Sequence, residues 1–212
     1  MNIIYIHVCC INNYQQIFEY LMYCIKASGL YNNIQEIRCC ILGNYNPGLF
    51  KDEKIKIHAV SPTIELYEIF TINQLYEDCK HENMNVLYLH TKGVTKPYNI
   101  NVKSWVDYLC YFNIFQYKKC IEVLYEHDTV GVNLHIHPQT HYSGNFWWAT
   151  SKYIQKLEPC TYEQYTSAEF WLTEKKFGNY YCLWQSNVNH YETNYTPNLY
   201  INRFFTKMKL II

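Results

Sequence analysis

Residues 3–10 read IIYIHVCC, and this segment decides the fold. The run is apolar apart from His7 and rich in β-branched side chains, which is typical of a strand covered on both faces. Residues 36–42 and 86–89 are further strand candidates of apolar character. The sequence therefore predicts several buried strands within the first ninety residues or so.

Helical patterns alternate with these strands along the chain. The remaining predicted elements are a helix over 14–28, a strand over 55–60, a helix capped by Ser61 with Pro62 at its first position, a helical stretch over 102–126 broken near Asn113, and a strand over 129–134. Strands that alternate with long helices indicate βαβ units. We therefore expect an α/β fold with a Rossmann-like, mostly parallel sheet.

The rhythm changes after Pro138, where shorter, aromatic-rich segments appear at 145–149 and 180–184, with a helix over 167–176. No repeat, charge run or low-complexity linker divides the chain. We expect one domain, in which residues 1–134 form a nucleotide-binding half and residues 135–212 form a lobe that closes over its mouth.

Composition excludes several classes of protein. The 212 residues are 49% hydrophobic and 17% charged, with 18 basic and 18 acidic side chains. A net charge of zero gives no broad attraction to nucleic acid or to an anionic membrane, so neither is an expected partner. We expect no targeting segment, no membrane span and a cytoplasmic location, where the ten cysteines would be reduced core residues.

The expected sheet indicates where a ligand would bind. In such folds ligands lie beyond the carboxyl ends of the strands, which here selects residues 7–13, Ser61, residues 90–93 and residues 133–137. No G-x-G-x-x-G follows the first strand, and the P-loop and G-x-S-x-G motifs do not occur. The chain therefore lacks the fingerprints of dinucleotide-binding, P-loop and α/β-hydrolase sites.

Residues 89–93, LHTKG, lie where the fourth strand should end. Gly93 permits a tight turn or a positive φ, and Lys92 offers a point charge that suits a phosphate. The alternative is an ordinary polar turn with a solvated lysine.

Residues 141–148, HYSGNFWW, are the most unusual segment. A Ser-Gly-Asn turn is followed by three large aromatic residues. The backbone and side-chain amides of the turn could bind hydroxyl or phosphate oxygens, and the aromatic rings beside them could pack against a sugar. Trp147 and Trp148 are adjacent and cannot share a face of a sheet. The alternative is a glycine bulge followed by a core strand.

Glu169 is the one carboxylate in the apolar helical run 168–172. Such a carboxylate should have a partner or a raised pKa, which makes it a candidate general base. The alternative is an exposed glutamate on a helix face.

His135 and His137 would share one face of a strand and could converge on a metal ion. No cysteine or carboxylate follows them at a recognisable ligand spacing.

Five segments follow one another in a recognisable order: YLHTKG at 88–93, Trp105, DTVG at 128–131, HYSGNFWWA at 141–149 and EFW at 169–171. Together they resemble a group of GT-A-type glycosyltransferases that occur in bacterial surface-polysaccharide clusters and in large DNA viruses. The resemblance implies a GT-A-like single domain with a nucleotide-sugar donor over the first four strands and a glycan acceptor held by the C-terminal lobe. It also implies a hexosyltransferase of glycan biosynthesis, with UDP favoured as the carrier, inversion favoured as the outcome, and the host cytoplasm as the location if the source is viral.

The resemblance and the strand order together assign expected roles. Glu169 would be the catalytic base, with Asp128 as the second candidate, and Lys92 would stabilise the leaving diphosphate. The acceptor side would use Phe146, Trp147, Trp148 and Trp171. The donor would contact His7, Val8, Ser61, His90, Thr91, Lys92, Gly93, Ser143, Gly144 and Asn145.

One departure from that group concerns metal dependence. Many GT-A enzymes hold Mn²⁺ or Mg²⁺ with an Asp-x-Asp motif after the fourth strand, whereas this chain reads His90-Thr91-Lys92 there. We therefore expect no cofactor and expect Lys92 to neutralise the leaving charge in place of the ion. If a metal is bound, His90, His190, His135 and His137 are the ligands to examine.

Two other functions stay open at this stage. A nucleotide-sugar or glycan-binding module without turnover would fit the aromatic content and the missing Asp-x-Asp. A histidine-metal hydrolase would fit the histidines at 135–141. The sequence does not identify the sugar, the acceptor or the oligomeric state.

Overall fold

The computed structural model describes residues 1–162, 166–175, 177–201 and 203. The predicted lobe therefore includes residues outside the described part, namely 163–165, 176, 202 and 204–212, and the end of the helix predicted over 167–176 is one of them. The strands are β1 Asn2–Cys9, β2 Glu36–Leu42, β3 Ile55–Ser61, β4 Asn85–His90, β5 Thr129–Gly131, β6 Leu134–His135, β7 His141–Tyr142, β8 Trp147–Thr150 and β9 Tyr180–Cys182. The helices are α1 Tyr14–Ala27, α2 Ile69–Cys79, α3 Ile100–Cys110, α4 Tyr117–Val123, α5 Ser151–Ile154 and α6 Ser167–Trp171.

The main sheet confirms the expected mixed α/β class. Within the described residues it has seven strands in the order β3-β2-β1-β4-β8-β5-β9. β1 to β4 pair in parallel, and β9 is parallel to β5, whereas β8 runs antiparallel between β4 and β5. This mostly parallel sheet is compatible with a Rossmann-like fold. β8 and β9 come from the predicted C-terminal lobe and extend the same sheet.

Helices cover both faces of the sheet, as continuous apolar strands require. Ile4 and Ile6 of β1 pack in one core cluster with residues of α1 and α3, whereas Ile3 and Tyr5 pack in the other with residues of α2. Trp148 belongs to the first cluster and Trp147 to the second. The prediction that the adjacent tryptophans lie on opposite faces is therefore confirmed.

The helix predicted to start at Pro62 is wrong. β3 continues through Ser61, a single 3-10 turn covers Ile64–Leu66, and α2 begins only at Ile69. Tyr67 has φ 50° and ψ −161°, a conformation that no right-handed helix can contain. Ser61 therefore caps no helix, and its hydroxyl accepts from the amide of Thr63 instead.

Two other predicted elements are interrupted by local backbone geometry. The strand predicted over 129–134 ends at Gly131, because Asn133 has a φ of 50° and the chain leaves the main sheet there. The predicted break near Asn113 corresponds to a π-helical turn, Tyr111–Phe115, between α3 and α4. Among the described residues, no helix combines the length and apolar character that crossing a membrane requires.

Candidate functional site

A cleft of about 400 Å³ opens at the carboxyl ends of β1 and β4. This is the edge that the strand-end rule selects, and the volume falls in the range of small-molecule sites. Its walls come from the end of β1, the loop before α2, the turn after β4, α3, the turn before β8, and α6. The side chains that matter below are His7, Glu68, His90, Lys92, Trp105, Asn145, Glu169 and Tyr191.

Lys92 lies inside this cleft rather than in bulk solvent. Its Nζ is 3.8 Å from the centroid of the Trp105 ring, a cation–π contact. Burial lowers the pKa of Lys92, while the nearby carboxylates of Glu169 and Glu68 raise it. The turn that positions the lysine needs Gly93, which has φ 96° and whose added Cβ would lie 2.9 Å from Val102 Cγ1. The LHTKG turn therefore presents a cation to the cleft.

Trp105 is the ring on which Lys92 rests, and it is held on several sides. The indole stacks on His190 with centroids 5.2 Å apart and meets Tyr191 edge-on at 5.0 Å. A second lysine, Lys96, lies over the Tyr191 ring at 4.3 Å. The rings around Lys92 thus come from α3 and from the segment near residue 190, not from β8.

The Ser143-Gly144-Asn145 turn brings three parts of the site together. Gly144 has φ 96° and Asn145 has φ 56°, so the turn uses two consecutive left-handed residues. The Gly144 amide donates to Glu169 Oε1 at 3.0 Å. The Gly144 carbonyl accepts from His90 Nε2 at 3.1 Å. The turn therefore links the end of β4 to α6.

Glu68 is a residue of the candidate site that the sequence analysis missed. Its Oε2 accepts from the Tyr88 hydroxyl and from Asn145 Nδ2, both at 2.8 Å, and its Oε1 lies 3.5 Å from His90 Nδ1. The segment 64–69 looked helical, and no motif marks this glutamate. Tyr67, which directly precedes Glu68, has a positive φ that the sequence does not reveal, and Glu68 lines the cleft.

His7 and His90 are register partners on β1 and β4, and both are neutral at pH 7. Burial lowers the pKa of His7 to about 4 and that of His90 to about 3, with the charge of Lys92 also lowering the latter. His90 Nε2 carries the proton, because it faces the Gly144 carbonyl. The contact with Glu68 is therefore not an ion pair near neutrality.

The aromatic residues predicted to stack on an acceptor sugar are core residues. Trp147 and Trp148 are 1% and 0% exposed, and their indole nitrogens donate to Asn145 Oδ1 and the Asn113 carbonyl. Phe146 is fully buried, and Trp171 is buried with its nitrogen bonded to the Glu158 carbonyl. None of the four offers a ring face to the cleft, so that prediction is corrected: these side chains anchor the turn and the sheet.

Asp128 lies at the opposite end of β5 from the cleft. Its carboxylate accepts from the Asn179 amide at 2.9 Å, and its carbonyl accepts from Thr150. The role of second catalytic base is therefore corrected to a structural one, because the side chain links the start of β5 to the residue that precedes β9.

Several residues predicted to contact the donor lie outside the cleft, and one that lines it also stabilises the strand ends. Val8 is fully buried in the core, and Ser61, Ser143 and Gly144 lie outside the cleft lining. Thr91 does line the cleft, and its hydroxyl accepts from the Cys9 amide at 3.0 Å, which ties the ends of β1 and β4 together.

The histidine-metal prediction does not fit the described residues. β6 ends at His135, so His137 no longer shares a strand face with it. His190 Nε2 lies 3.0 Å from Asn133 Nδ2 and 2.9 Å from Ser186 Oγ, and burial lowers its pKa to about 4. In the described part of the chain, no three His, Cys, Asp or Glu side chains are grouped so that they could hold an ion.

A family model described as a domain of unknown function, DUF8361, matches residues 35–198. The chain belongs to this family. The matched range contains every cleft residue except those that precede β2, such as His7, so the DUF8361 domain carries Glu68, Lys92, Gly144 and Glu169. The solved structure of HddC from Yersinia pseudotuberculosis is similar to the chain, with a TM-score of 0.47 and 14% identity over 98% of this chain and 100% of that one. No curated protein matches the sequence.

Proposed function

We propose that this DUF8361 protein is a glycosyltransferase of GT-A type. It transfers a sugar from a nucleotide-sugar donor, with UDP as the favoured carrier, to a hydroxyl of a glycan acceptor. The observation that carries the proposal is that Lys92 and Glu169 face the same cleft at the carboxyl ends of β1 and β4. One side chain suits a diphosphate and the other suits an acceptor hydroxyl.

The proposed reaction is a single displacement at the anomeric carbon. The acceptor oxygen forms the new bond to that carbon while the bond to the diphosphate oxygen breaks, and the configuration inverts. Glu169 takes the proton of the hydroxyl, and the nucleoside diphosphate leaves with the bonding electron pair. The transition state resembles an oxocarbenium ion, as in glycoside hydrolysis.

Lys92 supports the departing diphosphate in this proposal. A cation already fixed against Trp105 needs little reorganisation when negative charge develops on the leaving group. The chain reads His90-Thr91-Lys92 where an Asp-x-Asp motif would stand, so no carboxylate pair follows β4 to hold a divalent ion on the diphosphate. No step of the reaction is therefore assigned to a metal.

The Gly144 amide gives Glu169 a fixed orientation. Because Oε1 accepts from that amide, the other carboxylate oxygen is left to receive the proton of the acceptor hydroxyl. The aromatic residues Tyr67, Trp105 and Tyr191 line the cleft, so these replace Trp147 and Trp148 as candidate contacts for a sugar.

The test is a nucleotide-release assay with a panel of nucleotide sugars and glycan acceptors, run with chelator and again with Mn²⁺. Release that depends on acceptor and persists in chelator supports the proposal. Affinity for a nucleotide sugar without release, with every acceptor tried, would instead identify a binding module. Activity that chelator abolishes and Mn²⁺ restores would refute the role given to Lys92.

A further inference from the structure

Glu68 belongs to a continuous chain of contacts that ends on Glu169. Glu68 Oε2 accepts from Asn145 Nδ2, and Asn145 directly follows Gly144, whose amide donates to Glu169 Oε1. His90 Nε2 donates to the Gly144 carbonyl, whereas His90 Nδ1 carries no proton and forms no hydrogen bond to Glu68 Oε1, so the link from Glu68 runs through Asn145. Both main-chain groups of Gly144 are therefore engaged within the site.

The turn between these carboxylates depends on such contacts. Gly144 and Asn145 both have positive φ, a conformation that glycine adopts freely and that asparagine adopts at a smaller cost than other residues do. Asn145 is held from two sides, since its Oδ1 accepts from Trp147 Nε1 while its Nδ2 donates to Glu68. Removing Glu68 would leave a buried amide group with one partner fewer.

Glu68 is itself held firmly on the side away from the cleft. The Tyr88 hydroxyl, from a fully buried ring of β4, donates to the same Oε2 that accepts from Asn145. The carboxylate thus connects β4 to the turn that contains Asn145, and the residue before it, Tyr67, has a positive φ.

We propose that Glu68 is a positioning residue of the transfer reaction, which sets the place of Glu169 through Asn145 and Gly144. The expected kinetic effects rest on the proposed function, whereas the expected effect on the Gly144 turn does not. A shift of about 1 Å in a catalytic group can cost on the order of 10²-fold in rate. Glu68 therefore affects turnover without touching the reacting atoms.

The kinetic test uses Glu68→Ala, Glu68→Gln and the control Glu19→Gln, which removes an exposed carboxylate on α1 far from the cleft. Glu68→Ala should lower kcat by about 10–100-fold and change the donor KM by less than about 3-fold. Glu68→Gln should keep most of the activity, because its amide oxygen still accepts from Tyr88 and Asn145 and its NH₂ group can donate to His90 Nδ1. Equal losses in Glu68→Ala and Glu68→Gln would overturn the positioning role.

A double-mutant cycle shows whether Glu68 acts through Glu169. In a Glu169→Gln background, Glu68→Ala should change the single-turnover rate by less than about 2-fold, since the base it positions is already absent. Additive losses would contradict the inference. A second cycle exchanges the amide and the carboxylate of the Glu68–Asn145 contact. Asn145→Asp should lower turnover, because two carboxylates then face each other. The double variant Asn145→Asp with Glu68→Gln should recover turnover, because an amide again donates to a carboxylate.

An activity-independent measurement separates this inference from the proposed function. Amide hydrogen exchange at Gly144 should be faster in Glu68→Ala than in wild type and unchanged in Glu19→Gln. If no donor and acceptor give turnover, the proposed function fails, whereas faster exchange at Gly144 would still support the link to Glu169. Unchanged Gly144 exchange in Glu68→Ala would overturn the inference whatever the activity.

Discussion

The Nζ atom of Lys92 lies 3.8 Å from the centre of the Trp105 ring, and both side chains line the cleft at the end of β4. Burial lowers the pKa of this lysine, because its ammonium group has lost part of its hydration. An anionic ligand in the cleft would offset that loss. The carboxylates that act on it are Glu169 of α6 and Glu68 of the loop before α2, and both line the cleft.

Lys92→Met should weaken the binding of a nucleotide sugar and lower kcat/KM by about 10²-fold or more, because the leaving diphosphate loses its cation. The side chain keeps a similar apolar length, so the packing on Trp105 is preserved. Titration calorimetry and the release assay measure the two effects. Lys118→Met, an exposed change on α4, is the control. Wild-type affinity in the Lys92 variant would exclude the phosphate role.

The affinity of this site should also depend on pH in one direction. The pKa of Lys92 is lowered, so as pH rises the lysine loses its proton before an ordinary lysine would. Donor binding should therefore weaken in the alkaline range at a pH below the usual lysine value of about 10.4. Calorimetric titrations from neutral to alkaline pH would show this, and a flat profile would mean that the lysine does not contact the donor.

Glu169→Gln should lower turnover by roughly 10²–10⁴-fold if the carboxylate is the general base. The amide oxygen can still accept from Gly144, so donor affinity should be nearly unchanged. Steady-state kinetics and calorimetry together separate the two quantities. Glu174→Gln changes an exposed glutamate shortly after α6 and serves as the matched control. A rate close to wild type in Glu169→Gln would assign the base elsewhere.

Gly144→Ala and Gly29→Ala compare two glycines of positive φ. An added Cβ at Gly144 would lie 2.8 Å from Leu109 Cδ1, whereas nothing lies within 4 Å at Gly29. We expect the free energy of unfolding to fall by about 2–4 kcal/mol at Gly144 and by about 1–2 kcal/mol at Gly29. Urea denaturation measures both, and equal losses would mean that backbone conformation alone decides the cost.

Mild acid should destabilise the fold through three buried histidines. The pKa values of His7, His90 and His190 are lowered by burial to about 4, 3 and 4. Below pH about 6.5 the unfolded chain binds protons that the folded chain does not, so the free energy of unfolding falls as pH drops towards about 4. Each histidine contributes up to about 1.4 kcal/mol per pH unit in that window.

Urea denaturation at several pH values between neutral and about 4.5 would measure this loss. His7→Gln should flatten part of the dependence, because one buried imidazole no longer titrates in the unfolded chain. A stability that stays constant over this range would show that these histidines are protonated in the folded protein.

Much of the parallel part of the fold was predictable from the sequence. Apolar runs mark β1 and β4 because both of their faces are covered, and β2 begins and ends where it was predicted although it contains Glu36 and Arg38. The cleft-lining residues Lys92 and Glu169 were also predicted, since strand ends and a carboxylate in an apolar helix are visible in a linear pattern.

The remaining features depend on backbone conformations that composition does not encode. Tyr67 and Asn133 have positive φ although neither is glycine, and these two residues displaced the start of α2 and the end of β5. The burial of Trp147 and Trp148 could not be read from the motif, because tryptophan rings serve equally well in a core and under a sugar. The contacts of Glu68 could not be predicted from the sequence, because its partners Tyr88 and Asn145 are distant from it along the chain.

The reversed direction of β8 has an implication for how this domain tolerates insertions. Because β8 runs against β4, the turn that precedes it arrives at the same rim where the parallel strands finish. A slip of β8 by two residues would keep each side chain on its own face, yet it would carry Gly144 about 7 Å along the strand, out of reach of α6. An insertion between β7 and β8 that caused such a slip would leave the backbone ladder paired while separating Gly144 from Glu169.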